Sequence, residues 1–190
     1  MSDAWIPLVD EADLPASISR LTGFMGMVPT SMRAYGHLPA VMDGVIGLEM
    51  ALLPEGCVDV LIKARVGYVV SRLNGCRYCA AHVGGRLRNN GVGEEELACL
   101  IGDLPETGDA ATDAAVAFAR LATVGAATQD SVTALAPHFR PEQIVEIACV
   151  VGFYCFLNRV HSALGLEIED HFARIGAHRI APAGAPAKVQ

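Results

Sequence analysis

The sequence is poor in charge and in aromatic rings. Charged residues make up 18% of its 190 positions and aromatic residues 6%, with a single Trp. Lys and Arg number 14 against 21 Asp and Glu, for a net charge of −7. That balance excludes a nucleic-acid surface, which needs clustered basic side chains. The opening segment "MSDAWIPLVDEAD" has neither a basic stretch nor an apolar core of the secretory kind, so a cytoplasmic protein is expected. The longest near-continuous apolar run, Ile147 to Leu157, is too short to span a bilayer. Strand-like alternation is missing throughout, which leaves an all-α fold class.

Apolar residues, by contrast, are plentiful at 52%. One well-cored domain can bury much of that surface. The excess predicts apolar area buried between subunits, hence a homo-oligomer. Six cysteines are present. In a reducing compartment they are expected to serve chemistry or packing rather than structural disulfides.

The first twenty residues, with Pro7 and Pro15, read as an extended arm over the body. Helical patterns then follow one another. "PTSMRAYGHLP" ends before Pro39, and "AVMDGVIGLEMALL" is closed by Pro54. In "CVDVLIKARVGYVVSRL", Val58, Leu61, Ile62, Val66, Val69, Val70 and Leu73 recur every three or four residues, so one face is core. Asn74-Gly75 stops that helix. The next runs to about Asn89-Asn90-Gly91. "EEELACLIG" opens with acids where the helix dipole favours them. "TDAAVAFARLATVGA" takes Thr112 as its N-cap. After the short "DSVTALAPHF", "RPEQIVEIACVVGFYCFLNRVHSALG" is the longest helix, with Pro141 in its first turn and Gly165 past its end. One helical domain is expected over residues 1–178. The Pro/Ala/Gly-rich residues 179–190 are expected to form a mobile tail.

The stretch "LNGCRYCAAHVGG" carries the chemistry. On a helix, positions 76, 79 and 82 step about 60° each around the axis. Cys76 and Cys79 are therefore neighbours, and the His82 imidazole, leaning toward the N-terminus, can approach the Cys79 sulfur. A thiolate attacks peroxide to give a sulfenic acid. A second thiol condenses with that product to a disulfide and releases water, and an external reductant reopens the bond. Zinc would need a fourth ligand, for which only Cys57 and Cys99 offer themselves, without a second paired motif. Packing alone is the third reading, since Cys is often buried. Cys57, Cys99, Cys149 and Cys155 are assigned to packing.

The segments "VPTSMRAYGHLPAVMDG", "LIKARVGYVVSRLNGCRYCAAH" and "FLNRVHSALGLEIED" resemble the AhpD-like, carboxymuconolactone decarboxylase superfamily, and most closely its peroxidase-related branch. The resemblance runs from the N-terminal arm to Asp170. It implies an all-helical, oligomeric protein that reduces hydroperoxides with its CxxC pair. It assigns Cys79 as the attacking thiol and Cys76 as its resolving partner, and the helical spacing adds His82 as base. No metal or organic cofactor is implied. The reductant would be a dithiol protein or a small thiol. The helix dipole alone favours a thiolate at Cys76, whereas the histidine favours Cys79.

Two departures from the family pattern stand out. The family carries a glutamate twelve residues before the first cysteine, where this chain has Ala64. Its histidine commonly falls four residues after the second cysteine, where this chain has Val83. Tyr68, one turn from Ala64, is a candidate relay group, with Glu49, Asp59 and Tyr78 as further donors or acceptors. Two alternatives follow. A lactone-decarboxylating lyase shares the fold but needs acid/base groups and a cation rather than a dithiol. A non-catalytic redox-sensing or binding protein would account for Ala64. His161, near Asn158 and Arg159, reads as a capping or surface histidine near a helix C-terminus, with a substrate-pocket residue as the alternative. Arg159 reads as a structural residue. His37, His138, His171 and His178 have no companion motif, and Met25, Met27, Met32, Met42 and Met50 read as gap-filling core.

Overall fold

The structure, a computed structural model, describes residues 4–102, 106–170 and 172. His171, His178 and the expected tail at 179–190 lie outside the described residues. Among the described residues the chain forms nine α-helices, one 3-10 turn and no strand. The helices are α1 (Ile18–Met25), α2 (Thr30–Tyr35), α3 (Pro39–Leu52), α4 (Val60–Leu73), α5 (Arg77–Asn89), α6 (Glu94–Ile101), α7 (Ala110–Thr123), α8 (Gln129–Thr133) and α9 (Pro141–Ala163). The all-α expectation holds.

Helix α4 is the hub, packed against α5, α7 and α9. Asp59 caps its start, accepting from Leu61 N at 2.8 Å and Ile62 N at 3.2 Å. Val66, Val69 and Val70 are fully buried. Gly67 admits the Tyr154 ring of α9 so closely that a Cβ there would stand 2.3 Å from it. A buried ion pair ties the same helices together. Lys63 Nζ meets Glu146 Oε1 at 2.8 Å and donates to Leu52 O at 2.7 Å. Glu146 Oε2 accepts from Cys57 N and Val58 N. Each charge is thus satisfied by several bonds, which burial demands.

The turn from α4 to α5 follows from Asn74-Gly75. Gly75 adopts φ 67°, the left-handed region that a side chain disfavours. Gly75 N then donates to Arg72 O at 3.1 Å and Cys76 N to Ser71 O at 2.9 Å, the paired bonds of a Schellman ending. This ending makes Cys76 the N-cap of α5. The same device closes α9, where Gly165 has φ 59° and Leu166 N donates to His161 O at 3.2 Å.

Several expectations are corrected. The extended arm is shorter than twenty residues, because a 3-10 turn forms over Glu11–Asp13 and α1 begins at Ile18. The arm lies on the end of α9 through Trp5 N to Leu164 O at 2.9 Å, and on α2 through Val9 N to Arg33 O at 3.1 Å. Asp109, not Thr112, caps α7; Thr112 lies inside the helix and donates its hydroxyl to Asp109 Oδ2 at 2.6 Å. Cys57 and Cys149 are exposed, while Cys99 and Cys155 are half-buried. At Cys149 the reason is that α9 is apolar on its outer face as well, where Val145 and Phe156 are also exposed. At 23 residues α9 is long and apolar enough to cross a membrane, more than its apolar run indicated, but half of its most apolar window is buried in the protein. It is the core helix of the bundle.

Candidate active site

The sulfur pair sits where α4 hands over to α5. Cys76 Sγ, at the N-cap, accepts from Cys79 N at 3.5 Å. Both thiols are free and buried. Cys79 lies one turn inside α5, and its Sγ is 3.1 Å from Nδ1 of His161 on α9. His161 Nε2 meets the Tyr35 hydroxyl of α2 at 3.1 Å. A hydrogen-bonded chain therefore runs Cys79–His161–Tyr35 through three helices.

This contact corrects two sequence expectations. His161 is neither a surface residue nor a cap; it is 4% exposed and turned onto the sulfur. His82 is not at the sulfur. Its Nε2 is 2.6 Å from Glu169 Oε2, and its ring stacks on Phe172 at 4.0 Å. Glu169 also accepts from Thr30 N and from the Tyr78 hydroxyl, each at 2.7 Å. His82 thus fastens the segment after α9 onto α2 and α5. The signal for His161 was the stripe Tyr154, Leu157, Asn158, His161, at helical spacing and wholly buried, which carries two polar residues on an inward face.

Tyr68, the candidate relay, is buried, packs beside Gly84 and accepts from Arg72. It is not among the described residues that line the cavity at Cys79. Ala64 is buried too. The carboxylate of the site is instead Glu49 of α3, 8% exposed and lining that cavity. It makes no hydrogen bond or ion pair among the described residues.

The cavity has a volume of about 500 Å³. Cys79, His82, Val83, Arg86, Asn89 and Asn90 form one wall along α5. Met25, Met27, Met32, Leu53 and Tyr154 make the rest largely apolar. Met25, Met27 and Met32, expected as core packing, do pack in or against buried clusters and also border the cavity. Cys76 does not line it. Among the described residues, no group of three or more His, Cys, Asp or Glu is arranged to hold a metal ion.

Charge is divided between the sulfurs. The neighbouring Cys79 side chain lowers the Cys76 thiol to about 6 against the cost of burial, helped by Cys79 N–H, Ser162 and Asn158. Burial, and then the neighbouring Cys76, push Cys79 well above the usual thiol range. The two shifts run in opposite directions, so Cys76 is the member of the pair that ionises more readily. Burial also lowers His161 to about 3, so its imidazole is neutral and can accept a proton. Burial raises Glu49 to about 7, with Arg86 opposing. Burial raises Tyr35, reinforced by Cys79 and Glu49.

Residues 39–121 match the model of the carboxymuconolactone decarboxylase family. A search among curated proteins finds no match. Solved structures are similar over nearly the whole chain. A peroxidase-related protein with an alkylhydroperoxidase AhpD core from Ralstonia eutropha JMP134 superposes with a TM-score of 0.79 at 21% identity, covering 90% of this chain and 95% of that one. A peroxidase-related protein from Silicibacter sp. TM1040 gives 0.78 at 22% identity over the same shares. The debrominase Bmp8 in complex with 2,3,4-tribromopyrrole gives 0.78 at 20% identity, again covering 90% and 95%. Residues 39–121 thus carry the sequence match to the carboxymuconolactone decarboxylase family, and the chain as a whole shares the fold of the AhpD-like, peroxidase-related proteins.

Proposed function

We propose that this protein is a thiol-dependent oxidoreductase that reduces hydroperoxides with Cys79 and Cys76. The observation that carries the reading is the 3.1 Å contact between Cys79 Sγ and His161 Nδ1 at the wall of an apolar cavity. Cys79 is the sulfur a substrate can reach. As it attacks the terminal peroxide oxygen, the O–O bond breaks and its proton passes to His161 Nδ1. The departing alkoxide is protonated to an alcohol, leaving a sulfenic acid on Cys79. The Cys76 thiolate attacks that sulfur, and hydroxide leaves as water after protonation. One hydroperoxide and two thiols thus give one alcohol, one water and one disulfide. A dithiol protein or a small thiol then reduces the disulfide.

A neutral imidazole is a weak base, so the proton needs somewhere to go. Tyr35 takes up the bond from Nε2, and Glu49 supplies the carboxylate whose charge acts on Tyr35. Glu49 has the role for which Ala64 is unsuited. Its raised pKa of about 7 suits a group that exchanges protons near neutrality.

The test is peroxide consumption with a dithiol reductant. Wild type should turn over, while Cys79→Ser should be inactive. Cys76→Ser should stall with a sulfenic acid that dimedone traps on Cys79. Equal rates for wild type and Cys79→Ser would remove the reading. Halogenated aromatics belong in the same assay, because a debrominase shares the fold and Phe24, Tyr78, Tyr154 and Phe172 line this cavity with rings.

We also propose that the chain assembles with copies of itself through apolar residues left exposed, such as Val145 and Phe156 of α9 and Leu48 of α3. A monomer by sedimentation at working concentration would refute this.

A further inference from the structure

Helix α5 gives the cavity a direction. Its lining residues Cys79, His82, Val83, Arg86, Asn89 and Asn90 fall three or four apart, so they share one face. Cys79 is buried at one end, and Asn89 and Asn90 are exposed at the other. Arg86 stands between them, half-buried, two turns from Cys79 and about 10 Å along the axis.

Arg86, like Glu49 across the cavity, is a charged lining residue with no bonded partner among the described residues. His82 is hydrogen-bonded to Glu169. Arg65 and Arg88, on the neighbouring faces of α4 and α5, are bonded to Glu96 and Glu94. The Arg86 guanidinium lies over the Phe24 ring at 4.3 Å and has no hydrogen-bonding acceptor among the described residues. A guanidinium carries five donors in a fixed fork that matches a carboxylate. Stacking on Phe24 occupies one face of that group and leaves its donor edge unspent. Glu49, across the cavity, lies within its field but makes no bond to it. Val83 lies between Arg86 and Cys79 on that face, and Met25, Met27 and Met32 also line the cavity.

We propose that Arg86 binds the carboxylate of an elongated, apolar substrate whose reactive end lies at Cys79, so that the preferred substrates are hydroperoxides of medium or long-chain carboxylic acids. This specificity rests on the thiol chemistry proposed above, but the anion site does not. The distance from Arg86 to Cys79 suits a medium-chain acyl segment, and the exposed end by Asn89 and Asn90 is the point of entry.

The test separates the two claims. First, decanoate and decanol are titrated calorimetrically into the reduced protein, with no peroxide present. Decanoate should bind roughly ten- to a hundredfold more tightly than decanol, the range of a charge-assisted bond in a partly desolvated site. Arg86→Gln should bring the two together, and Arg86→Lys should recover part of the difference. Second, linoleate hydroperoxide and its methyl ester are compared as substrates. The acid-to-ester ratio of kcat/KM is read within each variant, so that a general loss of activity cancels. It should exceed about tenfold in wild type and fall toward one in Arg86→Gln. Equal binding of acid and alcohol in wild type, or a preference that survives Arg86→Gln, overturns the anion site. Arg86-dependent binding with no peroxide turnover keeps the anion site and rejects the peroxidase reading. Turnover without acid preference does the reverse.

Discussion

The Cys79 sulfur and the His161 imidazole meet at 3.1 Å across 82 residues of sequence, while the His82 imidazole, one turn from the sulfur, bonds Glu169 instead. Access and charge are also separated. Cys79 faces the cavity, whereas Cys76, which does not line it, is the sulfur that ionises more readily. That suits Cys76 as the resolving sulfur, while Cys79 must give up its proton before it can attack.

His161→Gln should lower kcat/KM for peroxide by about 10²- to 10⁴-fold, the usual worth of a positioned base. The protein should still fold, since glutamine retains a polar group near Tyr35. Steady-state kinetics with a saturating dithiol reductant checks this. Activity within a few-fold of wild type would mean that His161 does not handle the Cys79 proton.

His82→Ala should behave differently. It leaves Glu169 with Thr30 N and Tyr78 as partners, and loss of a bond to a buried carboxylate costs about 1.5–3 kcal/mol. Urea unfolding should show that loss. The Cys76 thiolate should be unaffected. If His82→Ala instead matched His161→Gln in kinetics at unchanged stability, the fastening role would be wrong.

Thiolate absorbance at 240 nm, followed in the reduced protein, should fall as pH drops through about 6. Cys76→Ser should remove that transition. Cys79→Ala should move it upward, because it removes the side chain that most lowers Cys76. A transition that survives Cys76→Ser belongs to another cysteine and would reverse the assignment of charge.

Glu49 has opposite effects on stability and activity. Its folded pKa, raised from 4.5 to about 7, means that the folded state holds its proton more tightly. The stability it leaves intact below about pH 4.5 is lost as pH rises through about 7, up to ~3 kcal/mol in all. Glu49→Gln should therefore gain on wild type in unfolding experiments at alkaline pH and match it in acid. Peroxidase activity should rise through the same range in wild type and stay flat in Glu49→Gln. An unchanged activity profile in the variant would take Glu49 out of the proton path.

Much of this was legible from local signals. Asn74-Gly75, followed at once by Cys76, specifies a helix ending, a turn and a cap within three residues, and the structure builds each of them. The all-helical class followed from periodicity. That His161 meets Cys79 was not legible, because α9 is apolar almost all round and its pattern alone does not say which face turns inward. Nor was the partner of His82. Its spacing from Cys79 brings it to the right cavity, but Glu169 reaches it from 87 residues away. Helical geometry fixes which neighbours a side chain can touch; competition among distant partners decides which it does touch.

The chain contains one tryptophan, and the arm lays it on Gly165, where any Cβ would stand within 2.5 Å of the indole. Gly165 begins the segment that leads to Glu169 and the wall of the cavity. An intrinsic fluorophore therefore sits at the root of that segment, and its emission is an unlabelled optical report on how closely the arm lies against the end of α9.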